Sequence, residues 1–350
     1  GAQPRWFLAV VLLPVASSTR GLARAIMDDI GATCDELGVT VCGGHTETTP
    51  GIERPIVWSF LPTPLSYRLA AAVKARLMIY HCVDDFRSSS TAAVKIRASE
   101  SRWFDDADLV FVTSQRLRHR AEAHSSRVHL FPSGVDYERF ERVRTGDGGE
   151  PDDLAACQRP RVVYLGGLHR WLDQELLIDV AGRLPECSFV LIGPLQTDVT
   201  ALAATENIHL LGARGHEVVP RYLKACDAAI VPYRLADYTH HVYPAKLNEY
   251  LAMGLPVVAT ALDEVRRFNA QHSEVVAIGD DGDAFAARIR SALRSASDLG
   301  ARARRIEVAR INSWDTRIDG MSSLIESALA ARAADHPAPA RWRRASRGLR

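Results

Sequence analysis

The sequence shows no excess of charge of either sign: its 350 residues include 43 Lys and Arg against 42 Asp and Glu, a net charge of +1. This balance excludes a polybasic nucleic-acid-binding protein. The hydrophobic content of 47% excludes a disordered chain. The cysteines form no C-x-x-C pair and no spacing typical of a zinc site. Most lie in apolar runs, which indicates buried thiols in a reducing compartment; they are Cys34, Cys42, Cys82, Cys157, Cys187 and Cys226.

The apolar run near the amino end, residues 7–16, is too short to cross a bilayer as a helix, and Pro14 interrupts it. It follows Arg5 and precedes small residues, as a secretory signal peptide does. A buried β-strand has the same appearance, and we expect the strand.

From residue 56 onward, short apolar runs alternate with segments of helical period. Continuously apolar runs are typical of parallel strands that are covered on both faces, so we predict an α/β protein with two doubly wound, Rossmann-like domains. Four strands are predicted in the first domain, at 56–61, 77–83, 109–113 and 128–131. Six are predicted in the second, at 162–165, 189–192, 208–211, 228–231, 256–259 and 275–278.

The polar, glycine-rich residues 145–153 have the composition of a linker, so the expected domains are 56–144 and 154–300. Residues 301–330 are predicted to form C-terminal helices. The Pro-, Ala- and Arg-rich end, 331–350, is predicted to be a disordered basic tail, the alternative being weak attraction to anionic lipid.

Residues 1–55 do not follow the strand–helix alternation. They contain an amphipathic helical pattern at 21–37, a short predicted strand at 39–42 and then Gly43-Gly44-His45-Thr46-Glu47. This segment resembles the AIR (aminoimidazole ribonucleotide) synthase-related family, which includes hydrogenase maturation proteins. The resemblance implies an ATP site near His45 and Glu47. Because at most about half of that family's N-terminal domain fits here, we expect a foreign α+β fragment and no working ATP site.

The densest group of candidate functional residues is 239–260, with the sequence THHVYPAKLNEYLAMGLPVVAT. Pro244 suits the first turn of a helix that Gly254 ends, and Lys246 and Glu249 lie on one side of it. Helix-start amides and a lysine favour a diphosphate, while a carboxylate accepts both hydroxyls of a ribose. The pattern therefore predicts a nucleoside diphosphate site. The alternative is a surface pair between Lys246 and Glu249 worth under about 0.5 kcal/mol.

This block resembles the donor-site segment of GT-B glycosyltransferases of the family 1/4 type, in which P-x-K-x-x-E-Y-x-A-x-G-x-P-V-V recurs. The resemblance implies that Tyr243, Lys246 and Glu249 contact a nucleotide-sugar donor. The family's E-x7-E motif would place a first glutamate at His241, which we expect either to bind the donor sugar or diphosphate or to belong to a polar loop.

Two further segments resemble the same family. VVYLGGLHR at 162–170 implies that Gly166, Gly167 and Arg170 approach the diphosphate, although Arg170 is equally typical of a solvated side chain. PSGVDYERF at 132–140 resembles the family's P-N-G-V-D-x-x-x-F hinge, with Ser133 in place of Asn.

The predicted strand at 77–83 ends in Asp84 and Asp85, at the sheet edge where the site of an α/β protein lies. It resembles the family's Y-D-x-V-D-D strand, with His81 in place of the first Asp. We expect either acid to position an acceptor hydroxyl or to act as a base, the alternative being a helix N-cap. With only four strands before the linker, the acceptor-side domain is expected to be incomplete.

The resemblance implies a glycosyltransferase that moves a sugar from a nucleotide-sugar donor to a glycan or lipid-linked acceptor in bacterial cell-surface polysaccharide synthesis. We expect no metal ion, no cofactor and no nucleic-acid partner. The expected location is the cytoplasm, with peripheral contact at the inner face of the membrane. Two alternatives remain: a catalytically silent nucleotide-sugar-binding remnant, and an ATP-binding AIR synthase-related protein.

Overall fold

The β-branched apolar runs pair into three sheets in a computed structural model that describes residues 6–14, 40–49, 55–72, 75–85 and 96–335. The largest sheet has six parallel strands in the order β12-β11-β10-β7-β8-β9. Its strands are β7 (Arg161–Leu165), β8 (Ser188–Ile192), β9 (Ile208–Gly212), β10 (Ala228–Val231), β11 (Val257–Ala259) and β12 (Val276–Ile278). The order reverses at β7, as in the Rossmann fold, so a ligand crevice is expected at the carboxyl edge beside this strand.

Helices of the same unit pack against these strands, and their apolar side chains share one buried core with the sheet. The whole of β8 and the whole of β10 are buried. The helices are α4 (Tyr137–Thr145), α5 (Gln174–Arg183), α6 (Thr200–Ala203), α7 (Val219–Lys224), α8 (Lys246–Ala252), α9 (Asp263–His272), α10 (Gly282–Arg294) and α11 (Leu299–Ile311).

A second sheet has the order β3-β4-β5-β6, in which β3, β4 and β5 pair in parallel. Its strands are β3 (Ile56–Ser59), β4 (Leu77–Cys82), β5 (Leu109–Val112) and β6 (Val128–Leu130). Its helices are α1 (Pro64–Ala72), α2 (Arg97–Asp106) and α3 (Gln115–Glu122). Trp103 and Phe104 of α2 pack against the Tyr80 ring, with centroids 5.9 and 5.1 Å apart. The parallel α/β architecture predicted from residue 56 onward is confirmed.

A separate pair of parallel strands, β1 (Trp6–Pro14) and β2 (Thr40–Thr49), lies near the amino end. The strand expected at 7–16 is present as β1. The strand expected at 39–42 is longer than predicted, because Gly43, His45 and Glu47 continue β2 as strand residues. The helical pattern at 21–37 lies outside the described residues.

The chain divides into two compact units. The C-terminal unit contains Leu130–Arg317 and the short segment Thr113–Leu117, and the remaining described residues form the N-terminal unit. The last helix, α12 (Trp314–Asp335), crosses from one unit to the other at Ile318 and continues five residues into the expected tail, of which 336–350 lie outside the described residues. None of the described helices combines the length and apolar composition needed to cross a bilayer.

This division differs from the expected boundary at 145–153, which lies inside the C-terminal unit. The reason is that side chains hold these residues onto that unit. Tyr222 of α7 donates a hydrogen bond to the Asp153 carboxylate at 3.0 Å, and Lys224 donates to the Val143 carbonyl at 3.0 Å. Phe140 of α4, which precedes the expected linker, is buried in the core of the same unit.

Candidate functional site

A cavity of about 290 Å³ opens at the carboxyl edge of the six-stranded sheet. It lies where the ligand crevice of a doubly wound sheet is expected. Its walls come from the ends of β7 and β8, the loop after β9 and the start of α8. The lining residues are Leu165, Gly166, Ile192, Gly193, Pro194, Arg214, His216, Val219, Ala245, Lys246 and Glu249. Three residues predicted for the donor site, Gly166, Lys246 and Glu249, therefore line one cavity.

Two glycines allow the backbone turns after β7 and β8 to approach each other. A Cβ atom at Gly193 would lie 1.9 Å from the Gly166 carbonyl oxygen, which no side chain tolerates. Gly166 has a φ of 133°, and a Cβ there would lie 2.6 Å from Lys246 Nζ. The double-glycine signal at Gly166 thus reflects a real steric requirement: the turn leaves room for a lysine to reach the cavity.

Two buried tyrosines hold the Lys246 side chain in place. Its ammonium donates hydrogen bonds to the Tyr164 hydroxyl at 3.1 Å and the Tyr233 hydroxyl at 2.6 Å. It also lies 4.2 and 4.7 Å from the centroids of the same two rings, within the distance of a cation–π contact. The Tyr164 hydroxyl in turn donates to the Gly167 carbonyl at 2.9 Å, so its lone pairs face the ammonium. The third ammonium proton has no acceptor among the described residues and is available to an anion.

The Glu249 carboxylate is paired with a histidine and not with the lysine one turn earlier. His216 Nε2 lies 3.0 Å from Glu249 Oε1, and the Glu249 side chain is 18% exposed. Within the described chain no ion pair joins Lys246 to Glu249, so the alternative of a simple surface pair is not observed. The two side chains face the same cavity with separate partners.

The start of α8 is less open to an anion than the sequence suggests. This helix has only seven residues. The Leu247 amide donates to the Pro244 carbonyl at 2.9 Å, and the Asn248 amide donates to the Ala245 carbonyl at 3.3 Å. Two first-turn amides are therefore already satisfied, and the positive charge of the cavity comes mainly from side chains. Besides Lys246, Arg214 lines it, held by a hydrogen bond of 2.8 Å to the Tyr222 hydroxyl and by an ion pair with Asp153.

Four other residues predicted for the donor site do not line this cavity. The Arg170 guanidinium lies 4.4 Å from the Trp171 ring centroid. Tyr243 is buried, and its hydroxyl accepts a hydrogen bond of 3.0 Å from Asn248. His241 Nδ1 donates a hydrogen bond of 2.8 Å to the Asp237 carbonyl. Gly167 acts through its carbonyl on Tyr164.

Asp84 and Asp85, the acids proposed for the acceptor side, follow β4 in the N-terminal unit. The Arg120 guanidinium pairs with the Asp85 carboxylate and, at 2.8 Å, with Glu100, which also accepts a hydrogen bond of 3.0 Å from Tyr80. Asp85 and Glu100 are 5% and 2% exposed, so this is a buried ion-pair cluster and not an acid open to substrate. The Asp84 carboxylate accepts the Asp85 amide at 2.8 Å.

Among the cavity residues that the sequence interpretation did not single out, three have a steric or polar role: Gly193, Arg214 and His216. Gly193 follows a buried strand directly, as Gly166 does, and that signal was present in the sequence. Arg214 and His216 lie in the loop after β9, where no spacing or periodicity distinguishes them from other polar loop residues.

Residues 159–295 match the family model described as glycosyl transferases group 1. The matched segment, which we call the group 1 segment, contains the six-stranded sheet and every residue that lines the cavity. Residues 1–60 match the model described as AIR synthase related protein, N-terminal domain.

Comparison with solved structures shows that this chain has the GT-B fold. Anabaena Alr3699/HepE in complex with UDP superposes with a TM-score of 0.61 at 14% identity, covering 91% of this chain and 99% of that chain. Sucrose-phosphate synthase from Thermosynechococcus elongatus gives a TM-score of 0.60 at 18% identity, covering 91% of this chain and 81% of that chain.

A curated relative is similar in sequence. The chain is 28% identical over 230 residues to a Bacillus subtilis (strain 168) protein named as a teichuronic acid biosynthesis glycosyltransferase, TuaH. The similarity covers 63% of this chain and 57% of TuaH, so the chain spans less than two thirds of that relative.

Proposed function

We propose that this protein transfers a sugar from a nucleotide-sugar donor to a glycan or lipid-linked acceptor in bacterial cell-surface polysaccharide synthesis. The observation that carries the proposal is the cavity at the carboxyl edge of the Rossmann-like sheet, which Lys246 and Glu249 both line. A cation and a carboxylate three residues apart on one side of a short helix match the diphosphate and the ribose of a nucleoside diphosphate.

In this proposal Lys246 and Arg214 stabilise the negative charge that develops on the departing diphosphate. Such preorganised charges lower the barrier most when they need no rearrangement during the reaction. The two tyrosines that hold Lys246 Nζ at 3.1 and 2.6 Å provide this preorganisation. Two side-chain cations also supply charge stabilisation without a metal ion, so we propose metal-independent transfer.

The donor is proposed to be a uridine nucleotide sugar. Structures of the similar-fold protein HepE are described in complex with UDP and with UDP-glucose. TuaH, whose name places it in teichuronic acid biosynthesis, supports an acceptor in surface polysaccharide synthesis. We place the reaction in the cytoplasm, at the inner face of the membrane. The described cysteines, Cys82, Cys157, Cys187 and Cys226, are buried free thiols, as expected in a reducing compartment.

One observation favours a second candidate, a protein that binds a nucleotide sugar without transferring it. On the acceptor side, Asp85 is neutralised by Arg120 in a buried cluster and is not available as a base. The match of residues 1–60 to the AIR synthase related model motivates a third candidate, an ATP-binding protein.

Titration calorimetry with UDP, GDP and ATP separates these candidates. We expect UDP to bind and Glu249→Ala and Lys246→Ala each to weaken it at least about tenfold, because each removes a hydrogen bond to a charged group. Glu186→Ala is the matched control: Glu186 is exposed before β8, whereas the cavity lies after β8, about 16 Å away along five strand residues. Tight ATP binding that is unaffected by Glu249→Ala would refute the proposal. UDP binding without sugar transfer would favour the silent binder.

A further inference from the structure

Glu249 is the last member of a chain of polar contacts that starts at the helix N-cap of α4. The Asp136 carboxylate caps this helix by accepting the Arg139 amide at 3.2 Å. It also pairs with Arg139 Nε at 2.9 Å. Arg139 Nη1 lies 3.1 Å from His216 Nδ1, and His216 Nε2 lies 3.0 Å from Glu249 Oε1. All four residues belong to the C-terminal unit.

These contacts determine which nitrogen of His216 carries the proton. A guanidinium has only donors, so His216 Nδ1 must accept from Arg139 and is unprotonated. The imidazole proton is therefore on Nε2, where it donates to Glu249 Oε1. A backbone carbonyl in place of Arg139 would select the opposite tautomer and a water would leave it open, whereas the guanidinium selects the tautomer with the proton on Nε2.

His216 contacts only one of the two oxygens of the Glu249 carboxylate. His216 takes Oε1, so Oε2 is the oxygen that remains for a ligand hydroxyl in the cavity. His216 is itself fixed on its other side, since Arg139 is held by Asp136 and the buried Phe140 ring lies 6.3 Å from the imidazole. The Asp136, Arg139 and Phe140 positions belong to the 132–140 segment, which thus acquires a role at the cavity.

We infer that His216 is a positioning residue of the nucleotide site: through Arg139 and Asp136 it holds the Glu249 carboxylate in the orientation that accepts the ribose hydroxyls. This inference rests on the proposed function, because it assumes that Glu249 receives a ribose. According to this inference, nucleotide selectivity depends on residues of the loop after β9 and of α4, in addition to Lys246 and Glu249.

The test compares the affinities for UDP and for 2′,3′-dideoxy-UDP by titration calorimetry on the full chain. The ratio of the two isolates the ribose hydroxyls. We expect wild type to prefer UDP by about ten- to a hundredfold, the range for a hydrogen bond to a charged group. Glu249→Ala is expected to reduce the ratio to about one.

His216→Leu is expected to reduce the ratio about three- to tenfold, with little change in the affinity for the dideoxy compound. His216→Gln keeps an acceptor for Arg139 and a donor for Glu249 and is expected to restore most of the ratio. In the background of Glu249→Ala, His216→Leu is expected to have no further effect.

The outcomes distinguish the ribose contact of Glu249 from the positioning role of His216. If Glu249→Ala leaves the ratio unchanged, the proposed ribose contact itself is wrong. If Glu249→Ala abolishes the ratio but His216→Leu does not alter it, or alters both nucleotides equally, the positioning role is overturned while the proposed function stands. A loss of folding in His216→Leu would lower the binding stoichiometry for both nucleotides and not only their affinities, and the His216→Gln variant then decides the question.

Discussion

The N-terminal unit contains a buried histidine that makes the stability of that unit sensitive to acid. His81 in β4 is 5% exposed, and neither of its ring nitrogens has a hydrogen-bond partner among the described residues. Its neighbours are aromatic: the rings of Phe60, Trp58 and Phe111 lie 5.0, 5.8 and 5.9 Å away. Burial disfavours the charged imidazolium and lowers the pKa of His81 to about 4 from its ordinary value of 6.5.

The sign and size of the effect follow from this pKa difference. Below pH 6.5 the unfolded chain binds a proton at His81 that the folded chain excludes, so stability falls as the pH falls. At about 1.4 kcal/mol per pH unit, the loss between pH 7.5 and pH 5 is about 2 kcal/mol, and it approaches its limit near pH 4. The contribution is fully present above pH 6.5.

The perturbation that tests this is His81→Phe, which suits an aromatic surrounding and removes two unsatisfied polar atoms. Urea unfolding followed by tryptophan fluorescence at pH 7.5 and pH 5 measures the free energy of unfolding. We expect the wild type to lose about 2 kcal/mol more than the variant on acidification. His119→Gln, at an exposed position in α3, is the control and should behave as wild type. Equal acid sensitivity of His81→Phe and wild type would refute the reasoning.

Two further substitutions test the packing at the cavity and the buried ion-pair cluster. Gly193→Ala places a Cβ 1.9 Å from the Gly166 carbonyl oxygen. It is expected to cost about 3 kcal/mol in thermal unfolding and to abolish UDP binding in calorimetry. Gly182→Ala in α5 is the control: no atom lies within 4 Å of its Cβ, so the substitution should be neutral or slightly stabilising. Arg120→Met removes the guanidinium that pairs with the buried carboxylates of Asp85 and Glu100 and is expected to cost about 3–5 kcal/mol in urea unfolding. Arg118→Met, which breaks only an exposed i,i+4 pair, should cost under about 0.5 kcal/mol; comparable losses in the two arginine variants would contradict the cluster.

The strands from residue 56 onward were predictable because a parallel strand covered on both faces must be apolar throughout. Each of the ten predicted runs overlaps an observed strand, and β10 coincides with the run at 228–231. Strand ends were less predictable, since they depend on pairing with a neighbour. The run predicted at 56–61 ends as β3 at Ser59, and Phe60 and Leu61 beyond it are half exposed.

Within the site, the predictable residues are those whose relation is local. Lys246 and Glu249 are three residues apart on one helix, so their common orientation follows from helix geometry alone. His216 meets Glu249 across 33 residues of sequence, and nothing local indicates that contact. Arg170 was predicted to approach the diphosphate from its place after a glycine turn, but its guanidinium lies over the adjacent Trp171 ring, 4.4 Å from the ring centroid.

The two acids after β4 show why a position at a sheet edge does not by itself define a chemical role. Both Asp84 and Asp85 lie at the carboxyl end of a strand, where catalytic acids of α/β proteins are found. What distinguishes them is a contact 35 residues away in sequence, the pairing of Asp85 with Arg120. Because that guanidinium also pairs with Glu100, the cluster holds β4, α2 and α3 together, so Asp85 is committed to the stability of the N-terminal unit.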